Sequence, residues 1–241
     1  MRPETQPVIR VFIWLAKKIA LCYNVSMDEM VNQIDFETIW PGFAPCVLIS
    51  EGVRSDVAHL VRDMFYTFQI EHGETRFPDE DALSAYPRDL DNYRLKLAEN
   101  HYLAKTITDN SMIDLQQFVV LREARRRIIG DAMMQEQRAE TVYGMAEYAG
   151  LLALNQISRT EFMEKVQGHL VRLRNPHCLF DIASASLNAG CMICFALKSL
   201  DIDFSHNLND SRTIYEFIPR ESSEIEIIFN ERVKNGIYSK N

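Results

Sequence analysis

Helical periodicity limits what this chain can fold into more than any other feature of its sequence. From Ser55 to the apolar segment "LFDIASASLNAGCMICFALKSL", apolar residues recur mainly at the three- and four-residue spacing of one helix face. The tract "SMIDLQQFVVLREARRRIIGDAMMQEQRAETVYGMAEYAGLLALNQI", residues 111–157, predicts long helix, broken near Gly130 and again near Gly144. Further helices are expected over "SDVAHLVRDMFYTFQIEHG", with Ser55 or Asp56 as cap and Gly73 as stop, over "DNYRLKLAENHYLAKTITD" and over "SRTEFMEKVQGHLVRL". "LFDIASASLNAGCMICFALKSLDIDF" reads as a buried helix with small residues on one side, and "SMDEMVNQI" as a short helix opened by Ser26. The stretch between, "ETRFPDEDALSAYPRDL", reads as a long acidic loop. Only "CVLIS", after Pro41, Gly42 and Pro45, has the character of a strand. The expected fold is therefore mainly α, an α+β chain with a few short strands, forming one domain over residues 1–241.

Charge and cysteine usage narrow the function. The 241 residues are 47% hydrophobic, enough for a full-sized core. With 26 basic against 34 acidic residues, the net charge of -8 repels nucleic acid and anionic membranes, so no nucleic-acid partner is expected. The segment "VIRVFIWLAKKIALCYN" is interrupted by Lys17 and Lys18 and is read as an amphipathic core helix, so neither a transmembrane segment nor a signal peptide is expected there. Five cysteines, Cys22, Cys46, Cys178, Cys191 and Cys194, offer no disulfide framework and no second pair to make a zinc ribbon. They predict reduced thiols and a cytoplasmic protein. "REARRRII" puts four arginines within Arg122–Arg127 and is read as a helix face paired with acids one turn away. Ser184 and Ser186 lack a strained nucleophile elbow. Phe36, Trp40, Phe43, Phe65 and Phe68, with Trp14, are assigned to the core.

One helix carries a frame with a missing chemistry. In "HLVRDMFYTFQ", residues 59–69, the surroundings are those of a metal-binding helix in which two histidines one turn apart chelate zinc and a glutamate after the first activates water. Arg62, Asp63 and Tyr66 stand where His, Glu and His would be, around Met64 and Phe65. Downstream, "ETVYGMAEYAGL" resembles the segment in which a second helix supplies a glutamate as third ligand, and Tyr143 holds that place within Glu140–Tyr148. The chain thus resembles the gluzincin-like zinc metallopeptidases, the peptidase MA-like group. "WPGFAPCVLIS" and "FDIASASLNAGCMICFALK" extend the likeness loosely over residues 36–218. The resemblance implies a zincin-like helical domain and peptide hydrolysis by zinc-bound water in intact members.

The replacements argue against that chemistry in this chain. Arginine stays protonated and has no lone pair to offer a cation. Asp63 is a methylene shorter than glutamate, which draws a general base back by roughly an ångström. Tyr66 and Tyr143 would each have to lose a proton whose reference pKa is about 10. The expectation is a catalytically inactive metallopeptidase-like protein without a cofactor, whose former cleft, with His59, Glu136, Glu140, Glu147 and Tyr148, binds a peptide or protein. In that reading Arg62 replaces the ion as a cation and meets Glu140 or Glu147 within about 4 Å, with the two tyrosine hydroxyls nearby. The alternative is a hydrolase whose metal has moved to His59, Asp63 and carboxylates of the Glu136–Glu147 helix.

Overall fold

The computed structural model describes residues 34–43, 57–204 and 208–220. Among them every regular element is helical: α1 (Phe36–Ile39), α2 (Val57–Glu71), α3 (Glu80–Ser84), α4 (Leu90–Asp109), α5 (Met112–Ile129), α6 (Ala132–Ile157), α7 (Arg159–Leu173) and α8 (Ile182–Ser199). Two 3₁₀ turns, Pro176–Leu179 and Ile214–Phe217, complete the set. The chain is mainly α, as its periodicity predicts. The candidate strand "CVLIS", the segment 8–24, nearly all of "SMDEMVNQI", the caps Ser55 and Asp56, and the tail "SEIEIIFNERVKNG" lie outside the described residues.

Short polar side chains start the helices and left-handed residues end them. Asp89, Ser111 and Asp181 each accept a hydrogen bond from the backbone N–H three residues on, opening α4, α5 and α8. Asn110 and Gly130 close α4 and α5 at φ of 49° and 53°, and Gly73 follows α2 at 84°. The break expected at Gly130 is present. The one expected at Gly144 is not, because α6 runs on to Ile157. A Cβ at Gly144 would lie 2.3 Å from the backbone carbon of Gly190, so this glycine lets two helices touch rather than ending one. The acidic loop also needs correcting: Asp79 caps the short helix α3 within it.

Asp181 yields a test of the capping argument. Its hydrogen bonds to Ser184 hold its carboxyl below the usual aspartate range. A carboxylate depressed in the folded state contributes stability that is complete above its unfolded pKa and is lost as pH falls through the folded value. Asp181→Ala is expected to lower the unfolding free energy by about 1 kcal/mol at pH 7. Urea titrations at pH 7 and pH 3 should show the difference shrinking at the lower pH; an equal loss at both would place the effect elsewhere.

The described residues form two compact units. The first holds 34–43, 57–75, 146–167 and 208–209, and the second 76–145, 168–204 and 210–220. In the first, α2 buries Val57, Ala58, Val61, Phe65 and Phe68 along one stripe. Phe65 meets Trp40 at 5.0 Å and Phe43 at 5.2 Å between ring centroids, both edge to face, and Phe43 meets Phe68 at 5.1 Å. Such pairs contribute about 0.5–1.5 kcal/mol each beyond their buried area. Gln156 clasps Asp35, accepting from its N–H at 2.6 Å and donating to its carbonyl at 3.0 Å, which pins α1. Of the aromatic residues assigned to the core from sequence, Trp40, Phe43, Phe65 and Phe68 are buried there, Phe36 is only half-buried at its edge against Phe43, and Trp14 lies outside the described residues.

In the second unit α4 packs along α5 and α8. Cys191 and Cys194 are buried on α8 without a disulfide, and burial pushes the Cys194 thiol well above its ordinary value. Among the described residues α8 alone has the length and apolarity to cross a membrane, and most of it is buried inside the protein, the pattern of a core helix.

Candidate functional site

The crossing of α2 with the C-terminal part of α6 sets the geometry of the first unit. A Cβ at Gly150 would lie 2.2 Å from the Ala58 carbonyl oxygen, so the two helices meet backbone to backbone at that point. One turn along α2 from Ala58 is Arg62; about one turn back along α6 from Gly150 is Glu147. The two side chains face each other there. The Arg62 guanidinium donates to the Glu147 carboxylate at 3.4 Å and to Asp63 at 3.2 Å. Arg62 retains 24% of its side-chain exposure and Glu147 only 9%, so the pair is half sheltered from water.

The electrostatics follow from that placement. Burial works to strip the Arg62 proton, but Asp63, Glu147 and Tyr66 outweigh it and raise the pKa. Arg62 is thus a fixed cation at the place that the resemblance gives to a metal ligand. The expected arginine-to-carboxylate contact is present, made by Glu147 rather than Glu140. Tyr66 is half-buried beside Arg62, and Tyr148 is buried. Tyr143 belongs to the second unit, where its hydroxyl donates to Glu80 in a short hydrogen bond.

These residues do not fit a zinc ion. Arg62 is cationic, Asp63 already accepts from Arg62, and the Tyr143 hydroxyl is engaged by Glu80. Among the described residues no group of three His, Cys, Asp or Glu side chains is placed to hold a metal ion. His59 lies exposed on α2. His72 bonds the Phe68 carbonyl at 2.9 Å at the end of α2. His169 is buried and bonded to Asn188 at 2.5 Å.

Glu136 and Glu140 were expected beside His59 in a cleft, but each is fully buried in the second unit. They belong to an ionic network that the sequence reading missed. It joins Lys96 and Glu99 of α4, Arg122 and Arg125 of α5, and Glu136 and Glu140 of α6, all without solvent exposure. Arg122 grips both oxygens of Glu140, one at 2.7 Å and the other in a shorter bond, and reaches Glu99 at 2.9 Å. Arg125 contacts Glu136 at 2.6 Å, Tyr86 at 2.6 Å and Asn92 at 2.9 Å, with a short bond to Glu99. Lys96 closes the set with a short bond to Glu136.

Charge balance makes this burial tolerable: three cations meet three carboxylates. Burial pushes every carboxyl toward protonation, and the neighbours decide the outcome. Glu136 faces Arg125, Lys96 and Arg122, which outweigh burial and hold it far below the usual carboxylate range. Burial, reinforced by the like charge of Glu136, leaves Glu140 raised in spite of Arg122, so it takes a proton before Glu136 as pH falls. Burial likewise lowers the Lys96 pKa.

The arginine cluster therefore divides. Arg122 and Arg125 point inward to acids on other helices, which corrects the expectation of pairing along one helix face. Arg126 pairs locally, with Glu123 at 3.3 Å. The inward direction had a signal in the sequence, because Phe118, Arg122, Arg125 and Ile129 fall on one helical stripe with apolar ends. The chain matches no family model, no curated protein and no solved structure.

Proposed function

We propose that this chain is a non-catalytic, metallopeptidase-like cytoplasmic protein that binds a peptide or protein segment through the α2 surface bearing His59, Asp63 and Tyr66. The observation that carries the reading is the Arg62 to Glu147 ion pair. It puts a permanent positive charge and its counter-charge where the resembled enzymes need neutral or anionic donors. A guanidinium held this way repels a divalent cation, and Asp63, drawn to Arg62, is not free to act as a base. What remains on the exposed side is a histidine, a half-exposed carboxylate and a phenol, a set suited to hydrogen bonding with an extended polar segment.

Elemental mass spectrometry of untagged protein purified without chelator tests the first half of the proposal. No stoichiometric transition metal is expected, and no cleavage of a quenched-fluorescence peptide library. Near-stoichiometric zinc together with cleavage would overturn the reading in favour of a relocated metal at His59 and Asp63. The second half is tested on a peptide array. Asp63→Ala is expected to keep the fold and leave binding of any captured peptide within about threefold, as for a polar rim contact of an interface. Loss of a catalytic turnover with that substitution would instead identify an enzyme.

A further inference from the structure

The chain after α8 returns over the second unit as residues 210–220, and it covers one end of the ionic network. Ile214 and Tyr215 have no solvent exposure. The Tyr215 ring lies 5.2 Å from the Arg122 guanidinium, and Phe118 lies 4.5 Å from the same group. Arg220 stacks at 5.3 Å from Tyr215, so that ring sits between a buried guanidinium and a half-exposed one. Arginine over aromatic faces is favourable and strengthens as water is excluded.

Among the described residues each bond from this segment to the helices beneath it has a side chain on at least one side, and Arg220 adds an ion pair to Glu123 at 3.6 Å. The Ile214 N–H donates to Thr141 Oγ1 at 3.0 Å, Tyr215 Oη to Glu123 at 2.7 Å, Gln116 to the Pro219 carbonyl at 2.7 Å, and Arg76 to the Arg212 carbonyl at 2.5 Å. Its regular structure is the single 3₁₀ turn Ile214–Phe217, steadied by the Glu216 carboxylate, which accepts from the Thr213 N–H at 2.7 Å and from its hydroxyl at 3.0 Å. Segments latched by a handful of side-chain bonds open at lower free energy than the helices beneath them. Beneath this one, Arg122 Nε and Glu99 Oε2 are buried polar atoms without a hydrogen-bond partner. Water entering the network would satisfy them, which favours opening.

We infer that residues 210–220 are a releasable strap, with Tyr215 as its seal, so that strap release and hydration of the Arg122 end of the buried ionic network are one coupled event. Thr141 and Glu123 are the catches. The Arg125 end, closed by Tyr86 and Asn92, stays shut when the strap lifts.

The full chain is labelled with phenylglyoxal, an arginine-specific dicarbonyl, and the modified peptides are quantified by mass spectrometry alongside hydrogen exchange of the strap amides. In the unmodified sequence Arg122 and Arg125 should both be protected. Thr141→Val removes one catch with little change in volume. It should raise strap exchange and Arg122 labelling together, by about tenfold, while Arg125 labelling changes less than about twofold. Tyr215→Phe, which keeps the ring, should label Arg122 less than Tyr215→Ala does. Faster strap exchange with Arg122 still protected would show a tail that seals nothing. Equal rises at Arg122 and Arg125 would show opening of the whole unit instead, and either result overturns the inference.

Discussion

Arg122→Ala is expected to cost the second unit about 3–5 kcal/mol, a large part of the stability of a domain this size. The substitution removes the bidentate partner of Glu140 and one of the two arginines that answer Glu99, and it leaves both carboxylates fully buried. The loss measures the stranded charges more than the value of the original bonds. Removing charge in balance separates these effects: Arg122→Met with Glu140→Leu keeps the volume and leaves Glu99 to Arg125. That pair should recover most of the loss, because well-packed apolar groups replace buried ion pairs at little cost. Urea unfolding of the two single variants and the double supplies the cycle. A double variant no more stable than Arg122→Ala would mean that the network itself, and not its charge balance, holds the three helices.

That network also marks where the sequence stopped being legible. Two helix ends were readable, since Gly130 and Gly73 each act where a positive φ is needed. The aromatic stripe of α2 was readable because burial of Val61, Phe65 and Phe68 follows the helical period. Charged residues were misplaced by the same reasoning that placed the apolar ones. A charge is assigned to solvent by default, yet Asn92, Lys96, Glu99 and Leu103 form one buried stripe of α4, and Glu136 and Glu140 lie one turn apart on α6. No single helix shows that its charges are answered. Balance appears only when Lys96 and Glu99 are set beside Arg122 and Arg125 and then beside the two glutamates, a long-range property that periodicity does not encode. Of the candidate site, the Arg62 contact was legible because a sheltered guanidinium needs a carboxylate to answer it and the second helix of the pattern carries Glu147. The grouping of Glu136 and Glu140 with His59 was drawn from spacing on α6 alone, and spacing carries no information on what faces a stripe.

Glycine in a helix was the other source of error, and it carries the second large effect. Gly190→Ala is expected to destabilise the second unit by about 3 kcal/mol, at the upper end of overpacking. By intrinsic propensity the change should help, since alanine in a helix interior is favoured over glycine by about 1 kcal/mol. Sterics decide against it. The new Cβ would lie 2.0 Å from the Glu140 carbonyl oxygen and 2.6 Å from its carbonyl carbon, both backbone atoms that no rotamer change can move aside. Relief requires α8 to shift from α6, and the displaced residue is Glu140, whose carboxylate is held by Arg122. Gly144→Ala acts on the same crossing, with its Cβ 2.5 Å from the Gly190 Cα. Because one displacement relieves both clashes, the double substitution should cost clearly less than the sum of the single ones. Denaturant midpoints of the three variants decide it. A Gly190→Ala change within about 0.5 kcal/mol of the parent, the range of a neutral surface substitution, would mean that the helices do not approach this closely.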